Sequence, residues 1–214
     1  MSYIKTLDSG QKELLDHIVS VTKQKGYDKN SIAAILSIVA KESNFRPKSE
    51  KGYGNTANDR IRKIFGSRLS KYSDAQLSVL KKNDIEFFNA VYGGRFGNKA
   101  NEGYKFRGRT FNQLTFKGNY QLMELKTGHK IIDDPDLVND KVVGTDVMLE
   151  YFKDAFHKAK VPMNGHSLKD AVLNYYRANA GFGKELEEIE KDVTGGLKKA
   201  RGFAQEFLDY VSSK

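Results

Sequence analysis

The stretch Asn30-Ser31-Ile32-Ala33-Ala34-Ile35-Leu36-Ser37-Ile38-Val39-Ala40-Lys41-Glu42-Ser43-Asn44 decides the fold class. Ile32, Ile35, Leu36, Ile38 and Val39 recur at helical spacing and form a broad apolar face. Asn30 or Ser31 can cap its start. Pro47 disfavours the helical conformation at Arg46, so the helix must stop soon after Asn44.

The same periodicity extends in both directions. Upstream, Leu14, Ile18, Val21 and Thr22 follow a cap at Asp8 or Ser9 and stop near Gly26. Downstream, helices are expected over Asn58–Phe65, over Ser73–Lys82 with a Ser73 to Gln76 capping box, and over Asp84–Tyr92, closed by Gly93 and Gly94. Others are expected at about Gly118–Thr127, Asp140–His157, Ser167–Asn179 and Leu197–Val211. Between them, Arg95–Thr115 breaks the pattern: Gly97, Gly103 and Gly108 alternate with basic residues and with Tyr104, Phe106 and Phe111. This reads as a loop with a short hairpin. The whole is a mainly α globule with a cleft at a glycine-rich, basic, aromatic loop.

Composition narrows the chemistry. The chain has 214 residues, no cysteine, and 36 Lys and Arg against 27 Asp and Glu, a net charge of +9. Thiolate chemistry and cysteine zinc sites are excluded, and His17, His129, His157 and His166 do not have metal-ligand spacing, so no metal and no cofactor are expected. No repeat or Pro/Ser-rich linker marks a separate binding module, and a single domain over 1–214 is expected. There is no apolar leader and no membrane-length apolar run, so neither export by a signal peptide nor stable membrane insertion is expected. The positive charge points to a polyanion: nucleic acid, anionic lipid or an acidic envelope polymer.

Two carboxylates stand out. Glu42 follows Val39 by three residues and Ile35 by seven, so the apolar face continues onto it at the C-terminal end of the helix. Desolvation and the negative end of the helix dipole both favour a protonated, neutral acid there, as a general acid requires. Glu50 lies beyond the Pro47 break, between Lys48 and Lys51, where lysines and solvent should keep it ionised. Carboxyl groups in contrasting environments form the pair that glycosidic hydrolysis uses. The basic aromatic loop could instead stack bases on Tyr104, Phe106 and Phe111 and hold phosphates with Arg107 and Arg109, and residue types alone do not choose between nucleic acid and sugar.

The run Tyr104-Lys-Phe-Arg107-Gly108-Arg109-Thr110-Phe-Asn-Gln113-Leu114-Thr115-Phe-Lys-Gly-Asn119-Tyr120 closely resembles the signature Y-x-x-R-G-R-G-x-x-Q-L-T-G-x-x-N-Y of the family-19 glycoside hydrolases, the chitinases and related phage endolysins. Ala40-Lys41-Glu42-Ser43-Asn44-Phe45 looks like the family's A-H-E-S-x-x-F segment, with Glu50 five residues further on. Asp134-Pro135-Asp136-Leu137 is similar to its N-P-x-L, Arg177-Ala178-Asn179-Ala180-Gly181 to its R-x-I-N-G-G, and Gly196-Leu197 with Arg201 to its closing G-L-x-x-R helix. Lys41, Thr110 and Ala180 depart from the pattern, standing where the family has His, Gly and Gly.

The resemblance implies two helical lobes, lysozyme-like or chitinase-like, with the glycine-rich loop lining the cleft, and an inverting mechanism. Glu42 would protonate the leaving oxygen, Glu50 would take a proton from the attacking water, and Thr115 would orient that water. Inversion requires carboxyls about 6.5–9.5 Å apart. Tyr104, Arg107, Gln113, Asn119, Tyr120 and Asn179 would line the sugar subsites, with Arg201 supporting the acid. The expected substrate is bacterial peptidoglycan, cut between N-acetylmuramic acid and N-acetylglucosamine by a monomeric lysozyme of the phage endolysin type. Such an enzyme is held in the host cytoplasm until its release to the periplasm and cell wall, where its charge would meet the anionic envelope. A chitinase of the same family, or a non-catalytic basic protein binding nucleic acid or envelope, are the alternatives.

Overall fold

The computed structural model describes residues 2–183, 189 and 195–214. The fold is mainly α: among the described residues there are nine α-helices, three short 3-10 helices and no strand, with one isolated antiparallel bridge between Arg109 and Leu114. The chain divides into two compact units, Met1–Pro47 with Asp140–Lys214, and Lys48–Asn139.

The first unit holds α1 (Ser9–Gln24), α2 (Lys29–Ser43), α7 (Lys141–Ala159), α8 (Leu168–Asn179) and α9 (Gly196–Ser213). Its axis is α2, packed chiefly against α8 and α9. Eleven of its fifteen residues are buried, including every position from Ser31 to Ala40, so it is a central helix rather than an amphipathic one with a solvated back. Each fully buried Ile or Leu contributes roughly 1.5–3 kcal/mol. The hydroxyls that this burial would strand bond one turn back, Ser37 to the Ala33 carbonyl at 2.7 Å and Ser43 to the Val39 carbonyl at 3.0 Å.

The start of α2 differs from expectation. Its N-cap is Asp28, whose carboxylate accepts the Ser31 amide, while the Asn30 side chain donates to the His166 carbonyl. Asp28 also accepts the Gly165 amide at 2.6 Å, a contact that makes it the better anchor. At the other end Asn44 takes a left-handed conformation (φ 52°) and closes the helix, as its short polar side chain allows.

The second unit contains α3 (Asn58–Phe65), α4 (Asp74–Leu80), α5 (Asp84–Tyr92) and α6 (Lys117–Thr127). The expected capping box between Ser73 and Gln76 is present at the head of α4. Aromatic rings dominate the core. Phe65, Phe87, Phe88 and Tyr92 are buried, with Tyr53, Tyr104 and Phe116 packed against them. Tyr53 meets Phe65 edge-on at 5.1 Å, and Phe88 stacks on Tyr92 at 5.9 Å. Such pairs contribute about 0.5–1.5 kcal/mol each beyond their area. The expected loop over Arg95–Thr115 is irregular, and the short hairpin reduces to the single Arg109–Leu114 bridge.

Candidate active site

Each unit holds one of the two expected carboxylates within a polar cluster. In the first, Glu42 lies in the last turn of α2. Its Oε1 accepts hydrogen bonds from Lys41 Nζ at 2.7 Å and from Asn179 Nδ2, on α8, at 3.2 Å. Both fall on one oxygen, and among the described residues Oε2 has no hydrogen bond. The expectation that Glu42 sits on a purely apolar surface is corrected: Lys41 turns toward it and forms a partly buried ion pair.

Lys41 also lies over the Tyr176 ring, 5.2 Å from its centre. That packing depends on Gly196, because a Cβ there would meet the Tyr176 hydroxyl at 2.4 Å and Lys41 Cε at 3.3 Å. Among the described residues Asn179 Oδ1 is buried and has no hydrogen-bond partner; the same holds for Arg177 Nε, whose guanidinium lies over the Phe182 ring, and for Arg201 Nε, which no contact ties to Glu42.

In the second unit the focus is Glu50. Its Oε1 accepts from the Tyr53 hydroxyl at 3.0 Å and the Tyr92 hydroxyl at 3.2 Å, and its Oε2 from Tyr92 at 3.1 Å and the Gly108 amide at 3.4 Å. The backbone is pinned as well: the Glu50 amide donates to the Gly108 carbonyl at 2.7 Å, and Arg107 Nε to the Glu50 carbonyl at 3.2 Å. An ionised Glu50 bathed by solvent and lysines is therefore not what the fold builds. Burial pushes its carboxyl up from the ordinary carboxylate range, and the hydrogen bonds from the tyrosines and Gly108, with the Arg107 charge, offset only part of that rise. Burial first, and the Glu50 charge second, raise both tyrosine hydroxyls, which stay protonated donors.

Gly108 brings the remaining groups close. A Cβ there would stand 2.8 Å from Gln113 Oε1, 3.4 Å from Glu50 Oε2 and 3.4 Å from Thr115 Oγ1, so three oxygens converge on its bare face. Thr115 Oγ1 donates to the Gln113 carbonyl at 2.8 Å, and Asn119 Nδ2 to the Thr115 carbonyl at 2.8 Å.

Two arginines of the loop, Arg107 and Arg109, are engaged by protein. Arg107 lies 4.0 Å from the Tyr104 ring centre and donates to the Tyr104 carbonyl. Arg109, buried, donates to Asp136 at 2.6 Å and to the Lys105 carbonyl at 2.7 Å. These contacts occupy part of the donor capacity that the bases-and-phosphates alternative would draw on. Tyr120 is likewise corrected. It is fully buried, packed on Phe106 at 5.3 Å, with its hydroxyl donating to the Arg107 and Leu114 carbonyls, so it supports the loop from beneath and faces no ligand.

Sequence reasoning missed Tyr53, Tyr92, Asp136 and Asn139. The last accepts the Thr110 amide at 3.0 Å. Tyr53 follows Glu50 by three residues, a faint signal; Tyr92 is too distant in sequence to leave one, and Asp136 falls at the unspecified position of the N-P-x-L likeness, which gives it no role.

Among the described residues no group of three or more acidic or histidine side chains could hold a metal ion, and no helix is long and apolar enough to cross a membrane. No family model and no curated protein matches the chain.

Proposed function

We propose that the chain is a glycoside hydrolase that cleaves the β-1,4 bond between N-acetylmuramic acid and N-acetylglucosamine in bacterial peptidoglycan, a lysozyme of the chitinase-like, phage endolysin type. The observation that carries this reading is the Glu50 cluster: a buried carboxylate hydrogen-bonded by two tyrosines, with Thr115 and Gln113 oxygens gathered on the same glycine face.

A carboxylate with raised proton affinity is a better base near neutral pH than a solvated one, so Glu50 is suited to take a proton from water, and Thr115 Oγ1 can help hold that water. Glu42, whose Oε2 has no hydrogen bond among the described residues, is assigned proton donation to the leaving oxygen, a role that requires it to take up a proton in place of its ion pair with Lys41. Asn179 fixes the Glu42 carboxyl, while Tyr104, Gln113 and Asn119 remain available to the glycan. The charge of +9 draws the enzyme to the anionic envelope.

The test is digestion of purified peptidoglycan followed by mass spectrometry. Reducing muramic acid ends are expected. Release of 1,6-anhydro ends would indicate a lytic transglycosylase, and free stem peptides an amidase. Glu42→Gln and Glu50→Gln should each lower the rate by about a hundred-fold or more with the fold retained. Wild-type rates in both would remove the acid and base roles.

A further inference from the structure

On the second unit, around Tyr92, whose hydroxyl bonds Glu50, a set of aromatic side chains in mutual contact carries two guanidiniums. Arg68 stands 6.0 Å from the Tyr92 ring centre, Tyr92 meets Phe116 edge-on at 5.4 Å, Phe116 meets Phe96 at 4.8 Å, and Arg95 stands 5.6 Å from the Phe96 ring. Phe96, Phe116, Gly118 and Asn119 line a hollow of about 530 Å³, within the range of small-ligand pockets.

Three observations set this hollow apart from ordinary surface. First, Phe96 is 67 % exposed although it is one of the largest apolar side chains in the protein, and its backbone is held at φ 43°, a conformation unfavourable for a side chain of that size. The hydrogen bond from the Gly118 amide to the Phe96 carbonyl, at 3.0 Å, fixes it there. A strained backbone that keeps a ring in water gains nothing from burial. It presents a flat apolar face, which is what the axial hydrogens of a pyranose stack against.

Second, Arg68 and Arg95 are both half-buried, and among the described residues neither side chain has an acidic partner or a hydrogen bond. Partly desolvated guanidiniums are ordinarily matched by carboxylates, with five N–H donors to satisfy. Here burial first, and the neighbouring Arg95 charge second, hold Arg68 below its usual value, so the two cations are close enough to act on one another. Third, Asn119 spends its amide N–H on the Thr115 carbonyl and keeps Oδ1 for a donor such as the N–H of an acetamido group.

We propose that this hollow is a subsite for an amino sugar that carries a carboxylate: the sugar ring lies against Phe96 and Phe116, and Arg68 and Arg95 take the negative charge. The inference rests on the glycan-cleaving reading above and makes it more specific, because it selects a muramyl residue over the neutral sugars of chitin. The carboxylate can come from the lactyl arm of the sugar or from the first residues of the peptide attached to it.

Titration calorimetry on the full chain separates these cases. The ligands are a disaccharide of N-acetylglucosamine and N-acetylmuramic acid with its lactyl carboxylate free, the same disaccharide bearing a dipeptide, the methylamide of each, and a short single-stranded oligonucleotide. Wild-type protein should bind a carboxylated form at least about ten-fold tighter than its methylamide. That ratio should fall below about three-fold in Arg68→Gln/Arg95→Gln. Preference for the free lactyl form assigns the charge to the sugar arm, and preference for the dipeptide form assigns it to the peptide.

Should the double variant fail to fold, as read by circular dichroism, Arg95→Gln alone must lower the ratio, with Arg95→Lys intermediate. A wild-type ratio near one, a ratio that survives the substitutions, or oligonucleotide binding tighter than any glycan each overturns the subsite. Because binding is read without turnover, selectivity that holds while Glu42→Gln still cleaves would sink the catalytic reading alone. Cleavage of the muramyl bond without selectivity would sink the subsite alone.

Discussion

The Tyr92 hydroxyl reaches both carboxyl oxygens of Glu50, at 3.2 and 3.1 Å. One donor shared between two acceptors cannot satisfy a carboxylate. Glu50 is held in place by contacts that leave its charge undercompensated, and the cost falls on stability.

The sign of that cost is testable. The Glu50 carboxyl titrates higher in the fold than in the unfolded chain, so the fold binds more protons across the interval between the two values. Its contribution is fully present below the ordinary carboxylate range, about pH 4, and is lost as pH rises through the raised value. Glu50→Gln keeps an acceptor for the tyrosines and removes the charge. Its Tm should exceed that of the wild type at pH 7, and the difference should vanish near pH 4. A difference that does not vary with pH contradicts the assignment.

Thr110 stands where the family signature has glycine, and its backbone adopts φ 62°, which a β-branched residue tolerates poorly. Its side chain is fully buried with an unpartnered hydroxyl. Thr110→Gly should stabilise the fold by about 1 kcal/mol, a rise of roughly 2–4 °C in Tm. Thr110→Val, which retains the strained backbone, should gain less. Loss of stability in the glycine variant would show that the buried methyl outweighs the strain.

Gly196→Ala drives a Cβ to within 2.4 Å of the Tyr176 hydroxyl and crowds Lys41, the ion partner of Glu42. The side chains can yield, so the stability loss should stay within about 1–3 kcal/mol. Displacing Lys41 moves the carboxyl it holds, and cleavage of peptidoglycan should drop about ten-fold or more. Unchanged turnover would detach this cluster from the chemistry.

The proposed attraction of the +9 chain to an anionic wall would be screened by salt. Lysis of whole cells should slow as ionic strength rises above about 0.15 M, while hydrolysis of a short soluble glycan changes little. Equal salt dependence for both substrates would place the effect in the site rather than in surface attraction.

How far the sequence could be read depended on how local each contact is. The Ser73–Gln76 capping box and the apolar spacing of α2 lie within one or two turns, and both were legible. The N-cap of α2 was not, since Asp28 and Asn30 are both good caps and the contacts with Gly165 and His166 divide the roles between them. Glu50 shows the larger gap. Its flanking lysines read as solvent, but its environment is set by Tyr92, forty-two residues away. Tyr120 shows the same limit from the other side, because the motif marks the residue without saying which way it faces.

The discontinuous first unit bears on how the protein is made. Residues 48–139 emerge as one uninterrupted segment and can pack their aromatic core as soon as they are synthesised. Helix α2 is translated before them, yet α8 and α9, which cover it, come later. Throughout that interval the nascent chain carries Ile32, Ile35, Leu36, Ile38 and Val39 without their final neighbours. An apolar helix left uncovered for that interval is aggregation-prone surface during synthesis.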